Sequence, residues 1–282
     1  MFRSTFFATI LMGMVGCGDL PHVGPTGMGT APSTQKGGIA VSNTYLECVV
    51  RDLLGPDVSV ATLAGPGMCP GHFDIRPSLF SRLAQCEILI RFDFQASLDA
   101  RLQDRTDRPM EIVPVELEGG MCQPDSYLTA CRQVADRLVA LGKLDRRAAE
   151  GRLDEVARKC QTLADWARAE VEAKHLAGSP VVTSAHQASF CRWLGLEVVA
   201  DFSSADTARP RAIDEAVRAG DQAKARLVIA NLPEGRRLAD ALAKRLGARV
   251  VLFGNFPESG GYDAFERLVR GNVERLVNEN GP

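Results

Sequence analysis

DRRAAEGRLDEVARKCQTLADWARAEVEAKH, the run from Asp145 to His175, is the stretch that decides how this chain is organised. Leu153, Val156, Cys160, Leu163, Ala167 and Val171 recur at steps of three and four, the period of one helix face. Asp145 can cap the start, and Gly178 and Pro180 supply stop signals. At 1.5 Å per residue such a helix is about 45 Å long, more than one small lobe needs. It reads as a spine joining two lobes, with a plain crossover helix as the alternative.

The segments on either side share one rhythm. Before the spine, residues 38–41, 58–63, 86–92 and 111–115 read as strands. Helical patterns lie between and after them: 44–54 capped by Ser42 or Asn43, a turn or two from Ser78 to Leu83, 98–102, and one capped by Asp125 or Ser126 running to Leu141. After the spine come strands at 181–184, 197–200, 226–231 and 248–253, with helices over 185–193, 212–219, 235–246 and 262–277. The fold class expected is α/β: two α/β lobes, 38–144 and 179–282, linked by a long rigid helix over 145–178, with a cleft between the lobes.

The first 37 residues do not read as folded domain. Met1-Phe2-Arg3-Ser4 is a short charged start, followed by an apolar run too short to span a bilayer stably. Met14-Val15-Gly16-Cys17 resembles a bacterial lipobox, so residues 1–17 are expected to be a lipoprotein signal peptide with Cys17 lipidated. Residues 18–37, rich in Gly, Pro, Ser and Thr, form a tether. The expected location is the periplasm or the outer face of the cytoplasmic membrane. The formal net charge of −2 includes no basic block, which argues against a nucleic-acid partner. No nucleophile elbow, P-loop, dinucleotide fingerprint or HExxH occurs, and no enzyme is expected.

The chemistry sits in loops that follow strands. Only four histidines are present, and His22 lies in the tether. His72, in Gly67-Met68-Cys69-Pro70-Gly71-His72-Phe73, lacks the neighbours of a core histidine and reads as a ligand; Cys69 is near enough to reach the same site. Cys122 follows another strand, and the Gly-Met-Cys triplet occurs at both 67–69 and 120–122. His186 follows the first strand of the second lobe, where a ligand role and a helix-start hydrogen bond are equally open. Imidazole with thiolate suits zinc or copper, and imidazole with carboxylate suits zinc, manganese or iron. Met68 or Met121 would shift the preference toward Cu(I). Cys69 and Cys122 could instead form a disulfide or a redox pair. Glu234, Glu258 and Asp263 are the acidic candidates for a fourth ligand, and the Gly-rich loop 254–261 offers Asn255 or Glu258. His175 complements the dipole at the end of the spine. Cys48, Cys131, Cys160 and Cys191, on helical patterns, read as small buried hydrophobes.

Four places together resemble the metal-binding solute receptors of bacterial ABC importers for zinc and manganese. They are Ser42 with Tyr45 to Gly55, Pro70-Gly71-His72-Phe73, His186-Gln187-Ala188-Ser189-Phe190 followed by Gly195, and Gly261 and Tyr262 with Asn272. The resemblance implies a metal buried between the lobes and delivery to an ABC permease in the cytoplasmic membrane by a monomeric receptor. It makes His72 and His186 direct ligands, with Cys122 where the family has a second histidine. Near the family's C-terminal aspartate this chain has Gly254-Asn255, leaving Asn255 or Glu258 to contribute. Zinc is the expected ion, with Mn, Cu and Fe as alternatives.

Overall fold

The short apolar runs become parallel strands because each is connected to the next by a crossover long enough to hold a helix. The computed structural model describes residues 38–65, 81–103, 110–261 and 263–278. In the first lobe β1 (Gly38–Val41), β2 (Val60–Thr62), β3 (Cys86–Phe92) and β4 (Glu111–Val115) lie in the order β2-β1-β3-β4, every pair parallel. In the second, β5 (Pro180–Ser184), β6 (Glu197–Phe202), β7 (Leu227–Asn231) and β8 (Arg249–Phe253) repeat it as β6-β5-β7-β8. The chain runs outward one way from β1 to β2 and the other way from β3 to β4. A crevice therefore opens between β1 and β3 at their carboxyl ends, and likewise between β5 and β7, where open α/β sheets take ligands.

One strand of the first lobe is shorter than expected, for a local reason. β2 is three residues rather than the six of 58–63, because it is an edge strand whose partner β1 is itself only four residues long. Pro114 sits within β4 without harm, since β4 is the opposite edge and a missing donor there costs no ladder bond.

The helices cover both sheet faces and tie the lobes together. In the first lobe these are α1 (Thr44–Leu54), α2 (Ser97–Gln103) and α3 (Pro124–Ala140). Asn43 caps α1 by accepting from Leu46 N at 3.1 Å. Pro124 opens α3, at a position whose amide is an orphan in any helix, so neither Asp125 nor Ser126 is the cap. The spine, α4 (Arg146–Ala173), has 28 residues and starts where Asp145 accepts from Ala148 N at 3.0 Å. It packs on α1 and α3 of the first lobe and on the last helix, α8 (Ala264–Val277), of the second. The second lobe also contains α5 (Ala188–Trp193), α6 (Pro210–Gln222) and α7 (Arg237–Leu246). α6 comes close enough to β5 that a Cβ on Gly220 would meet Val182 Cγ2 at 2.9 Å.

One apolar cluster is continuous through both lobes. Tyr127 stacks on Phe265 with ring centroids 4.0 Å apart, and Tyr45 meets both rings edge-on. Pairs of this kind are worth about 0.5–1.5 kcal/mol beyond the area they bury. Cys48, Cys131, Cys160 and Cys191 are buried in this cluster as small hydrophobes. Smaller clusters under Leu89 and Leu98, and under Val228 and Leu242, fill the outer face of each sheet.

Candidate functional site

The carboxyl end of β5 gives the site its first side chain. A single helix over 185–193 was expected; instead Ala185–Gln187 is a 3-10 turn and α5 follows it. The tight turn sends two consecutive side chains to different places. Gln187 is fully buried, its Nε2 donating to Asn231 Oδ1 at 3.0 Å and to Gly254 O at 3.3 Å. His186 faces outward, its side chain 62% exposed, with Nδ1 2.6 Å from Glu234 Oε1.

Glu234 belongs to the turn after β7, Leu232–Glu234, which has Pro233 in its first positions and ends at Gly235 with φ 74°. Its second oxygen accepts from Ser184 Oγ, the last residue of β5, at 2.7 Å. The carboxylate thus spans the crevice between β5 and β7. Sequence reasoning had it only as one of three acidic choices.

Cys122 meets the same backbone carbonyl as Gln187, that of Gly254. Its thiol is 1% exposed, donates to Gly254 O at 3.3 Å and accepts from Asn272 Nδ2 at 3.6 Å. Asn272 also holds both sides of Gly254, accepting from its N at 2.8 Å and donating to its O at 2.9 Å. Burial pushes the Cys122 thiol well above its ordinary range, with Cys191 adding to the rise and Asn272 opposing it. An ion taking this sulfur as a ligand would displace the thiol proton. Cys69, considered from the sequence as its disulfide or redox partner, lies outside the described residues.

Asn255 is 7% exposed, next to Gly254. Glu258 is exposed and lines a cavity of about 370 Å³ together with Leu232, Phe256, Arg267 and Arg275. Asp263 starts α8 with φ 60° and pairs with Lys159 of the spine at 3.4 Å. His72, Cys69 and Met68 lie outside the described residues, as do Cys17 and the tether. Among the described residues no three His, Cys, Asp or Glu side chains are grouped to hold an ion. Of the sequence candidates, His186 stands at the β5/β7 crevice, against Glu234.

The lobes touch through loops that follow their fourth strands. After β4, Gln123 Nε2 donates to Ser189 O at 2.8 Å and Ser189 Oγ at 2.9 Å, beside the Cys122 contact. After β8, the loop 254–261 lies over α1. Thr44 Oγ1 donates to Pro257 O at 2.7 Å, and Cys48 Sγ approaches Ser259 O and Gly261 O at 3.9 and 3.7 Å.

Two parallel α/β lobes on a helical spine, with the strand ends of both turned to the junction, define a two-lobe solute-binding receptor. The family of the zinc-uptake complex component A, periplasmic (ZnuA), matches residues 39–279, and the chain belongs to that family. It is accordingly a binding component of an uptake system rather than an enzyme. The fold is similar to that of ZnuA (TM-score 0.68, 13% identity, 86% of this chain and 98% of that chain). It is similar to FpvC from Pseudomonas aeruginosa in complex with Mn2+ (0.70, 14%, 86% and 98%). It is also similar to a Mn-bound periplasmic metal binding protein from Candidatus Liberibacter asiaticus (0.71, 12%, 86% and 98%). No curated protein matches the sequence. Among the described residues no helix is long and apolar enough to cross a membrane.

Proposed function

We propose that this chain captures a divalent transition-metal ion between its lobes and hands it to an ABC-type permease, with Zn2+ as the favoured ion. The observation that carries this reading is His186: an imidazole at the β5/β7 crevice, exposed on one side and held on the other, in a member of a metal-uptake family. His72 is the donor expected from the first lobe. Two imidazole nitrogens favour Zn2+ over Mn2+, which prefers oxygen. Asn255 or Glu258 completes the set from the loop after β8, and Cys69 lies near enough in sequence to His72 to add a donor.

Cys122 is a further candidate donor from the first lobe; its thiol bonds to Gly254 and Asn272 across the lobe contact, and an ion would take the place of its proton. The receptor itself needs no bond chemistry. An ion touching side chains of both lobes favours the arrangement in which they approach, and a permease can tell loaded from empty by that difference. An acylated Cys17 would keep the receptor at the outer face of the cytoplasmic membrane, where the permease lies.

The test is elemental analysis of the purified protein with the His72→Ala and His186→Ala variants, joined to X-ray absorption at the edge of the ion found. One Zn2+ per chain, nitrogen scatterers in its shell, and loss of the ion in both variants is the expected result. Stoichiometric metal unchanged in both variants would sink the proposal.

A further inference from the structure

We infer that Glu234 is the positioning residue for His186, fixing both the direction of the imidazole and the nitrogen it offers. The inference rests on reading His186 as a ligand to the transported ion.

The argument begins with the carboxylate. Glu234 is the third residue of a 3-10 turn that Pro233 and Gly235 bracket, and its side chain is only 14% exposed. One oxygen takes the Ser184 hydroxyl at 2.7 Å and the other faces His186 Nδ1 at 2.6 Å. Ser184 is itself fully buried at the end of the central strand β5, so the carboxylate is braced against the sheet rather than adrift at the surface. An ionised carboxylate can only accept hydrogen bonds, so the short contact requires the proton on Nδ1. In the neutral ring Nε2 then keeps its lone pair, on a side chain that is 62% exposed.

This is the arrangement in which a second partner sets the tautomer and orientation of a metal-binding histidine, and loss of such a partner weakens metal affinity by about 10–100-fold. It also gives Glu234 a role short of ligation: its oxygens meet Ser184 and His186, and its charge would reach the ion through the imidazole. Sequence spacing could not reveal the pair, because residues 186 and 234 meet only when β5 and β7 are neighbours.

The experiment uses the full chain labelled with 15N-histidine. Two-bond 1H–15N correlation of the metal-free protein reads the His186 tautomer, with His186→Ala assigning the signal. Zn2+ affinity is measured by competition with a chromophoric chelator, and Co2+ absorption reports coordination number. The Nδ1–H form should dominate in the native protein. Glu234→Gln should give a tautomer mixture and about 10–100-fold weaker Zn2+ binding, with stoichiometry and Co2+ bands unchanged. Ser184→Ala, which frees one carboxylate oxygen, should move both readouts the same way by less.

Native tautomer and native affinity in Glu234→Gln would overturn the inference. A Co2+ spectrum showing one ligand lost would overturn it too, by making the carboxylate itself a ligand. If the native protein takes up no ion, the functional reading fails separately, while the tautomer comparison still decides whether Glu234 orients the ring.

Discussion

In the first lobe the turn after β3, Asp93–Gln95, folds back on its own strand; in the second the equivalent turn after β7, Leu232–Glu234, reaches outward. Gln95 Oε1 accepts from Phe92 N at 3.0 Å and the side chain is 3% exposed. Glu234 leaves its turn, crosses to Ser184 and meets His186. The two turns occupy the same place in the same strand order, so the topology supplies the position and the side chain supplies the use. The loops after the fourth strands behave alike by comparison. The one after β4 holds the second lobe through Gln123 and Cys122, and the one after β8 lies on the first through Pro257 to Gly261. One matched pair joins the lobes, while the other has diverged into a seal and a holder of a candidate ligand.

That contrast can be broken by experiment. Gln95→Ala leaves the buried Phe92 amide without its acceptor and should cost about 1–3 kcal/mol in urea unfolding, with Zn2+ affinity at the native value. Loss of the ion in that variant would mean that both turns serve the site. The reciprocal loops are tested by Gly260→Ala. A Cβ there falls on the Glu47 carboxylate, which Arg51 and Thr62 hold in place. Pushing the end of one side chain aside should cost about 1 kcal/mol, at the low end for overpacking, and should raise hydrogen exchange in α1.

The smallest effect is expected at Asp52, on the shared core and far from either turn. Burial holds its carboxyl above the usual aspartate range, against the lowering effect of the Tyr127 hydroxyl at 2.6 Å. A carboxyl raised in the folded state favours folding while protonated and loses that contribution as pH rises through its folded value. Asp52→Asn should therefore raise Tm slightly at pH 7, with the gain vanishing below the ordinary aspartate range, and should leave metal uptake unchanged.

Much of this architecture was legible in the chain. The spine announced itself through Leu153 to Val171, and β3 and β4 fell at the residues expected, because apolar periodicity is a local property. His186 was visible as a histidine just past a strand. Its partner was not, since nothing in the spacing of Glu234 tells that β7 lies beside β5. The setting of Cys122 was hidden for a related reason: the sequence places a cysteine after a strand but not the approach of Gly254 and Asn272 from the other lobe to its thiol.

Because Phe265 of α8 closes the aromatic cluster around Tyr45 and Tyr127, the first lobe waits for the far end of the polypeptide before its apolar face is covered. A growing chain that has completed β4 and α3 still presents those rings to solvent. Fragments cut at the spine should be sticky rather than independently soluble, and heat should melt the two halves in a single step.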